Sequence, residues 1–520
     1  MKCGKCRCVS IHRHLFYHMK LDIVVYNSFC RIVNPFDYNA GIELDNLLAF
    51  GISGAKYTPQ YLAKRWDGRK HMYSLTKRVF PTGYLSDVIH FLESKGMQLN
   101  VINQCNIPKL ENPPLTLNIQ LWDHQANILQ ICAKYNRGLI QAPTGSGKSL
   151  CIAGNYAIIN TAGVILTQRR DLMYQLRKYL SDYLNVTVGI FGDGKWEKDQ
   201  LTVAMIQSLV KVLKDGKVKE YLKDFEDKDK DTDTIVTNRK QEVYSELIDG
   251  VKFLVADEVH RVGANGTYKL IQAMKNAYWR YGYSATAYGY RDDKKDFLIK
   301  SAIGDVITKV TISNLVKEKK LVPTTVVEIG FSHAKKKYPK DTYTEFYTAA
   351  VVENEERNKV AIETAYSFYK RGKDVLIAVT RIAHGKMLEK AMTTLVGDGN
   401  VKFLHGEDTT ETRKHFLKEF SNKRLPVMIS TLLGEGIDIK PLEVIVNIRG
   451  EESKISTIQL MGRAMRIHPG KDKAIYVDIM DYKNYWLGRH SKIRRGIYRD
   501  EETFTIVNID QKDISKLASI

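Results

Sequence analysis

The chain has 520 residues, 44% of them hydrophobic, so we expect a folded, soluble protein of about three domains. Its 79 lysines and arginines outnumber 59 aspartates and glutamates, which favours a polyanionic partner, with a generally basic solubilising surface as the alternative. No apolar run reaches the roughly 18 residues that a membrane helix needs, so the sequence predicts no membrane association.

Residues 1–18 form a possible N-terminal extension. They combine cysteines and histidines, which suggests zinc, but the spacing matches no standard zinc finger and no long apolar stretch of a secretory signal is present. Met19 is followed by a strand-like run, so the fold is expected to start there. Seven cysteines, mostly scattered, fit a reduced, cytoplasmic location better than a disulfide framework.

Residues 19–114 predict a small α+β domain. Short β-rich runs surround one amphipathic helix, Tyr84 to Gly96, and Pro113-Pro114 forms a linker. The domain carries Trp66-Asp67-Gly68-Arg69 and is locally basic. Its clustered cations are Lys56, Lys64, Arg65, Arg69, Lys70, Lys77 and Arg78.

Two α/β domains are predicted to follow, over residues 115–320 and 321–520, the second with a C-terminal tail. In both, apolar strand runs alternate with helical patterns, which indicates a parallel sheet covered on both faces. Residues 214–240 interrupt the first with dense mixed charge. Such a run cannot bury enough apolar surface to fold alone, so a surface insertion is expected.

A glycine-bearing loop between a predicted strand and a predicted helix marks a nucleotide site in the first α/β domain. Backbone N–H groups and the positive end of a helix dipole converge on a phosphate tail at such a place. Lys148 is expected to meet the β and γ phosphates of a nucleoside triphosphate, and Ser149 its Mg²⁺ ion. The predicted binding residues are Pro143, Thr144, Gly145, Ser146, Gly147, Lys148 and Ser149.

Asp257-Glu258-Val259-His260 supplies the hydrolytic groups. The apolar run before it predicts a buried parallel strand that delivers Asp257 to Mg²⁺ through the ion's hydration shell and Glu258 to the attacking water. Chance occurrence of a phosphate loop together with a strand-borne Asp-Glu pair is improbable. The sequence therefore predicts triphosphate hydrolysis.

The second α/β domain carries Gln459, Arg463 and Arg466. Their spacing of three and four residues predicts that they share one helical face, and Gly462 permits a close approach. Two guanidiniums on one face suit the charge that develops on a transferring phosphoryl group, whereas alone they would indicate a solvated basic helix. We predict catalytic roles for these side chains.

These motifs, in this order over residues 121–478, resemble the superfamily 2 helicases of DExH type. The resemblance implies two tandem RecA-like parallel-sheet domains, ATP and Mg²⁺ as cofactors, and His260 as part of the hydrolytic motif. Gln125 stands at the adenine-reading position. Ser430-Thr431 with Gly434-Glu435-Gly436-Ile437-Asp438 matches a motif in which Thr431 meets DNA while Gly436 and Asp438 contribute to the nucleotide site.

Predicted nucleic-acid contacts also come from this resemblance. Arg169 lies in a backbone-contact motif where Gln168-Arg169 replaces the usual Pro-Thr, and Gln207 lies in a second one where Met205 replaces Thr. Ser284-Ala285-Thr286 matches the segment that couples hydrolysis to DNA binding. ATP is expected to bind between the two α/β domains and draw them together, which moves the protein along a strand.

The small domain narrows the resemblance to the UvsW-like branch-migration helicases of phages. Trp66-Asp67-Gly68-Arg69 and a following Pro-Gly segment carry it, so Trp66 and Arg69 are predicted DNA contacts, with packing in the domain core as the alternative for Trp66. We expect a monomeric, phage-encoded DNA helicase for forks or four-way junctions, acting in a bacterial cytoplasm. A DExH RNA helicase, a non-unwinding DNA-binding ATP switch and a restriction-system motor subunit are the alternatives.

Overall fold

The structure is a computed structural model that describes residues 20–213, 241–261, 263, 265–286, 295–334, 337–339, 342–432 and 442–520. The predicted extension 1–18 and charged insertion 214–240 lie outside the described residues. Two compact units are present, Met1–Gln141 with Gly147–Lys309 and Ala142–Ser146 with Val310–Ile520. No helix in the described ranges is both long and apolar enough to cross a bilayer.

The small N-terminal domain is a four-stranded sheet in the order β5-β2-β1-β6, with a separate β3-β4 pair. The β1-β6 pairing is parallel, whereas β1-β2, β2-β5 and β3-β4 are antiparallel. The strands are β1 Lys20–Val25, β2 Phe29–Ile32, β3 Ala49–Gly51, β4 Arg69–His71, β5 Val79–Pro81 and β6 Gln98–Asn103. The helices are α1 Tyr38–Leu47, α2 Pro59–Leu62 and α3 Leu85–Ser94, so the predicted amphipathic helix is present.

The first α/β domain has an eight-stranded sheet in the order β10-β9-β11-β8-β12-β13-β7-β14. All its pairings are parallel except β9-β10. The strands are β7 Arg137–Gln141, β8 Gly163–Thr167, β9 Gly189–Gly192, β10 Lys195–Glu197, β11 Leu201–Met205, β12 Phe253–Asp257, β13 Trp279–Ser284 and β14 Val306–Lys309. The helices are α4 Asp123–Lys134, α5 Lys148–Ile159, α6 Arg170–Leu184, α7 Ile206–Leu213, α8 Asn265–Ala273 and α9 Asp296–Ile303.

The second α/β domain is a seven-stranded, all-parallel sheet in the order β17-β18-β16-β19-β20-β15-β21. The strands are β15 Thr324–Ser332, β16 Val375–Ala378, β17 Val401–Leu404, β18 Val427–Ser430, β19 Val444–Asn447, β20 Ala474–Tyr482 and β21 Phe504–Asp510. The helices are α10 Ile312–Lys317, α11 Tyr343–Tyr347, α12 Glu355–Tyr369, α13 Ile382–Val396, α14 Thr410–Ser421, α15 Lys454–Ala464 and α16 Tyr485–Arg499. Its central strands are apolar and buried, as the sequence predicts for a sheet covered on both faces.

The small domain shares its core with the first α/β domain. Leu298 of α9 is buried in the same apolar cluster as the small domain's strands, and Phe297 stacks on Phe50 with ring centroids 5.0 Å apart. The Tyr84 hydroxyl donates to the Phe297 carbonyl at 2.7 Å, and a Cβ on Gly83 would lie 1.9 Å from the Lys300 carbonyl oxygen. The predicted boundary near residue 114 therefore separates two sheets inside one unit.

The fold class is confirmed as two tandem RecA-like parallel-sheet domains preceded by a small α+β domain. The parallel order places the carboxyl ends of the strands of each sheet at one edge. In each of the two larger sheets, the predicted site residues follow their strands at this carboxyl edge.

Candidate active site and nucleic-acid interface

The predicted phosphate loop joins the end of β7 to the start of α5. Strand β7 ends at Gln141, and Lys148 is the first residue of the helix. Gly145 and Gly147 have φ angles of 90° and 77°, in the left-handed region that glycine tolerates and other residues resist. This backbone, followed by a 12-residue helix, has the build of a phosphate cradle.

Gln125 lies directly against this loop. Its side chain is buried, and its Oε1 atom accepts a hydrogen bond from the Trp122 backbone N–H at 2.9 Å. A Cβ at Gly147 would lie only 2.2 Å from the Gln125 Nε2 atom. Glycine is therefore favoured at position 147 by the φ angle, and a side chain there would displace the amide end of Gln125, the predicted adenine-reading residue.

The acidic pair follows β12 at the same edge of the sheet. Only β13 separates β12 from β7, so the two strand ends lie about 10 Å apart, twice the usual strand spacing. Asp257 is the last residue of β12, and Glu258 has a φ of 48°, an uncommon value for a residue with a side chain. Strained backbone of this kind is concentrated at functional sites.

His260 links the acidic pair to the next strand. Its Nδ1 atom lies 3.0 Å from the Ser284 Oγ atom and 3.3 Å from the Glu258 Oε2 atom, and both the imidazole and Ser284 are buried. The Ser284 Oγ atom also accepts from the Thr286 N–H at 3.1 Å. The structure therefore brings together Glu258, His260 and the Ser284-Ala285-Thr286 segment.

Helix α15 holds two of the three predicted catalytic residues of the second α/β domain. Gln459 and Arg463 lie within it and are both buried. Arg466 lies beyond the helix, which ends at Ala464, so the expectation of a single helical face does not extend to it. Its backbone forms a bridge with Leu321 instead.

Lys471 contacts the segment that carries Arg466, and the motif pattern did not reveal it. Its Nζ atom donates to the Arg466 carbonyl at 3.0 Å and so helps to fix the turn that carries this arginine. Burial is the main reason that the pKa of the Lys471 ammonium is lowered to about 8, while nearby Glu443 opposes this shift and the positive charge of Arg466 adds to it. No spacing rule marks Lys471, because it acts through a backbone carbonyl.

The predicted strand-end contacts are exposed or half-exposed. Arg169 follows β8 and Gln207 is the second residue of α7, which follows β11, and both are exposed at the carboxyl ends of two paired strands. Thr431 is half-buried after β18 in the second sheet. Gly436 and Asp438 lie outside the described residues.

Trp66 and Arg69 are engaged inside the small domain. The Trp66 indole N–H donates to the Arg69 carbonyl at 2.7 Å. The Arg69 guanidinium donates to the Asn46 side chain at 2.7 Å and to the Asn46 and Ala49 carbonyls at 2.9 and 3.1 Å. The geometry supports a positioning role for this motif, and its DNA-contact role stays a prediction.

The cations around this motif differ in availability. Lys70 is used internally, with its Nζ atom 3.4 Å from the Asn265 Oδ1 atom and 4.8 Å from the centre of the Tyr268 ring. Burial, with Lys269 nearby, lowers the pKa of Lys70. The exposed members of the group are Lys56, Lys64, Arg65 and Lys77.

Two protein families match the chain. Residues 118–288 match the family described as type III restriction enzyme, res subunit, and residues 358–468 match the helicase conserved C-terminal domain. The two matched segments contain the phosphate loop, the acidic pair and the arginine motif in the order described above.

The chain is also similar to individual proteins that match it over these segments or beyond them. The chain is 22% identical over 513 residues to the ATP-dependent DNA helicase uvsW of Enterobacteria phage T4, covering 91% of this chain and 90% of that protein. It is 26% identical over 229 residues to the DNA 3'-5' translocase XPB2 of Sulfurisphaera tokodaii, covering 44% and 43%. Among solved structures, S. cerevisiae Dbp5 bound to RNA and ADP BeF3 has a TM-score of 0.50 at 14% identity, covering 79% of this chain and 93% of that one.

Proposed function

We propose that this chain, a superfamily 2 helicase that hydrolyses ATP, is a Mg²⁺-dependent DNA helicase or translocase that remodels forked and junction DNA. The main support for this proposal is the position of two motifs at one carboxyl edge. The phosphate loop follows β7, Asp257 and Glu258 lie at the end of β12, and only β13 separates these two strands. The choice of DNA is supported by the two relatives named as a DNA helicase and a DNA translocase.

The residues of the first domain suit an ATP site that uses Mg²⁺. Ser149 in the first turn of α5 and Asp257 at the end of β12 offer a hydroxyl and a carboxylate, the oxygen ligands that Mg²⁺ prefers. When bound, the ion neutralises charge on the β and γ phosphate oxygens. Lys148 holds the same phosphates, and Gln125 reads the adenine.

Hydrolysis is assigned to side chains with separate tasks. Glu258 orients and deprotonates the attacking water, while Arg463 and Arg466 stabilise charge on the γ phosphoryl group. A change in the protonation or position of Glu258 is transmitted by His260 to Ser284 and Thr286. The His260 Nδ1 atom lies 3.0 Å from the Ser284 Oγ atom. Arg169, Gln207 and Thr431 hold the backbone of one strand.

Branch recognition is assigned to the small domain. Contacts between motor domains and backbone phosphates are largely blind to sequence and branching, so a junction needs a second contact. The exposed cations Lys56, Lys64, Arg65 and Lys77 lie on a domain that shares its core with the first α/β domain. A duplex arm bound there would stay fixed relative to that domain during each cycle.

The proposal is tested by measuring ATPase activity on single-stranded, duplex, forked and four-way DNA and on RNA, together with strand displacement on the forked substrate. Stimulation by DNA with displacement and a preference for branched substrates is expected. Stronger stimulation by RNA would identify an RNA helicase. ATP binding with no displacement on any substrate would indicate a switch or a translocating motor subunit.

A charge-removal variant tests the small domain separately. Alanine at Lys56, Lys64, Arg65 and Lys77 should abolish the preference for branched over single-stranded DNA and leave ATPase on single strands near its original value. A matched control replaces four exposed lysines of the second domain, namely Lys359, Lys370, Lys390 and Lys418. If the control loses the preference equally, total charge rather than the small domain selects branched DNA.

A further inference from the structure

Three aromatic side chains stand exposed together on the second α/β domain. Tyr343, Tyr485 and Trp486 are 46%, 76% and 46% exposed. The Trp486 ring centroid lies 6.2 Å from that of Tyr343 and 5.2 Å from that of Tyr485. We call these three residues the aromatic platform. Clustered exposed aromatic rings mark interaction sites, because each ring leaves a large apolar face in water.

The platform stands on a fixed base. Tyr343 lies with its ring centroid 6.1 Å from those of Tyr347 and His490. Both of these are buried and bound to the backbone, since the Tyr347 hydroxyl donates to the Arg449 carbonyl at 2.7 Å and His490 Nδ1 lies 2.9 Å from the Gly450 carbonyl oxygen. Tyr343 therefore has little conformational freedom left to lose when a ligand covers its ring.

A buried ionic cluster fixes the ends of β15 and β20, and β20 ends three residues before Tyr485. The Asp481 carboxylate accepts from the Arg357 guanidinium at 2.9 Å and lies 2.9 Å from His333 Nε2, whose other ring nitrogen is 2.6 Å from the Tyr338 hydroxyl. Asp481 belongs to β20, and His333 directly follows β15. The ends of two paired strands are thereby held at one position.

A basic groove of about 900 Å³ adjoins the platform through Tyr485. Lys483, Arg489 and Lys492 line it, with Arg489 and Lys492 one and two turns along α16 from Tyr485. Of the acidic lining residues, Glu328 is paired with Arg495 at 2.9 Å and Asp481 is buried in its own cluster, which leaves Asp510. Among the basic lining residues, Arg495 is the partner of Glu328 and Arg489 lies 3.9 Å from Glu452, so Lys483 and Lys492 contribute most of the net positive charge of the groove beside the exposed aromatic rings.

The platform lies at the carboxyl edge of the second sheet, the edge that also carries Thr431. Strands β18 and β20 are three strand spacings apart, or about 14 Å. That distance equals about four times the rise along the helix axis per phosphate of one strand in a regular duplex. A single strand that passes Thr431 can thus continue over the platform within a few nucleotides.

We propose that the aromatic platform and the basic groove bind an unpaired DNA strand, with bases stacked on Tyr343, Tyr485 and Trp486 and phosphates paired with Lys483, Arg489 and Lys492. This inference rests on the proposed DNA helicase function and names a second strand contact on the same domain. Proteins that bind single strands without sequence preference combine these two elements, because every base has a stacking face and every nucleotide a phosphate.

The test uses the full chain and single-stranded DNA that carries 2-aminopurine, whose fluorescence is quenched by stacking. A Tyr485→Ala and Trp486→Ala double variant should bind the strand at least about tenfold more weakly and lose most of the quenching. The single substitution Trp486→Phe, which keeps an aromatic ring, should leave both the affinity and the quenching close to those of the unaltered chain. Tyr135→Ala is the matched control, since Tyr135 is 53% exposed and precedes β7 at the opposite edge of its sheet.

A second variant tests the phosphate contacts. Alanine at Lys483, Arg489 and Lys492 should reduce the slope of log affinity against log salt by about 2, because three phosphates no longer release counterions. Unchanged affinity, quenching and salt slope in both variants would overturn the inference, and the surface would then suit a protein partner. Failure of the unaltered chain to bind DNA or displace a strand would instead overturn the proposed function.

Discussion

The Nδ1 atom of His260 lies 3.0 Å from the Oγ atom of Ser284, so the segment after β12 and the end of β13 are joined by a side-chain contact. Glu258 approaches the same ring nitrogen at 3.3 Å, and Ser284 in turn accepts from the Thr286 backbone. A change in the protonation or position of Glu258 therefore has a short path to the segment that leaves β13.

A double-mutant cycle measures this path. His260→Ala and Ser284→Ala should each reduce strand displacement more than ATPase activity, because the contact couples two events and performs neither. The two changes should be non-additive, with an interaction energy of about 0.5–3 kcal/mol on displacement. Purely additive losses would show that the contact only stabilises the fold.

Glu258→Gln should lower kcat for ATP by about 10²–10⁴-fold and leave nucleotide affinity nearly unchanged. The amide keeps the size of the side chain but cannot accept the proton of the attacking water. Steady-state ATPase and equilibrium binding of a fluorescent ATP analogue check both values. Near-normal turnover would refute the assignment of Glu258 as the base.

Arg466→Ala should lower kcat by about 10³-fold or more, with a much smaller loss of affinity, because the contact strengthens as charge develops in the transition state. Lys471→Met, which removes the hydrogen bond to the Arg466 carbonyl, should give a milder loss in the same direction. A fall in affinity with an unchanged rate at saturation would show that Arg466 binds the ground state.

His384 predicts a pH dependence of stability in the second domain. Burial, with nearby Arg357, lowers the pKa of His384 from 6.5 to about 3, and its Nε2 atom lies 2.8 Å from the Asn358 Oδ1 atom. Between pH 6.5 and 3 the unfolded state takes up this proton and the folded state does not, so stability falls as pH falls. At pH 5 the loss is about 2 kcal/mol.

The variant His384→Gln keeps a donor for Asn358 but has no titratable ring. Its urea unfolding midpoint, followed by tyrosine fluorescence from pH 7 to pH 4.5, should decline less than that of the unaltered chain. Parallel declines in the two proteins would remove His384 as the cause.

Arg69→Lys should lower the free energy of local unfolding of the small domain by about 1–2 kcal/mol, since an ammonium cannot reproduce the three hydrogen bonds to Asn46 and Ala49. Amide hydrogen exchange near β3 and β4 should accelerate about tenfold, with exchange in β16 as an internal reference. Unaltered exchange near β3 with weakened DNA binding would assign Arg69 to the nucleic acid.

The motor domains were predictable because two signals agree in each. Apolar runs such as Phe253 to Ala256 identify buried strands without a tertiary contact, and the functional motifs follow the strand ends. The position of Arg466 beyond the helix was not predictable, because its backbone bridges to Leu321, a residue distant in the sequence.

The roles of charged residues outside motifs were the least predictable. Lys56 and Lys70 look alike in the sequence, yet one is exposed and the other contacts Tyr268 and Asn265. Lys471 and the aromatic platform gave no signal for the same reason. A side chain's use here depends on which strands pair and in what order, which composition and spacing do not state.

Because the small domain shares its core with α9, protein engineering must exchange the two together. Phe297, Leu298 and the backbone of Lys300 supply part of the small domain's own packing, and Gly83 leaves no room for a side chain at the seam. A chimera that takes the small domain from a relative must therefore bring the matching α9 with it. Grafting residues 20–114 alone would transplant a half-formed interior.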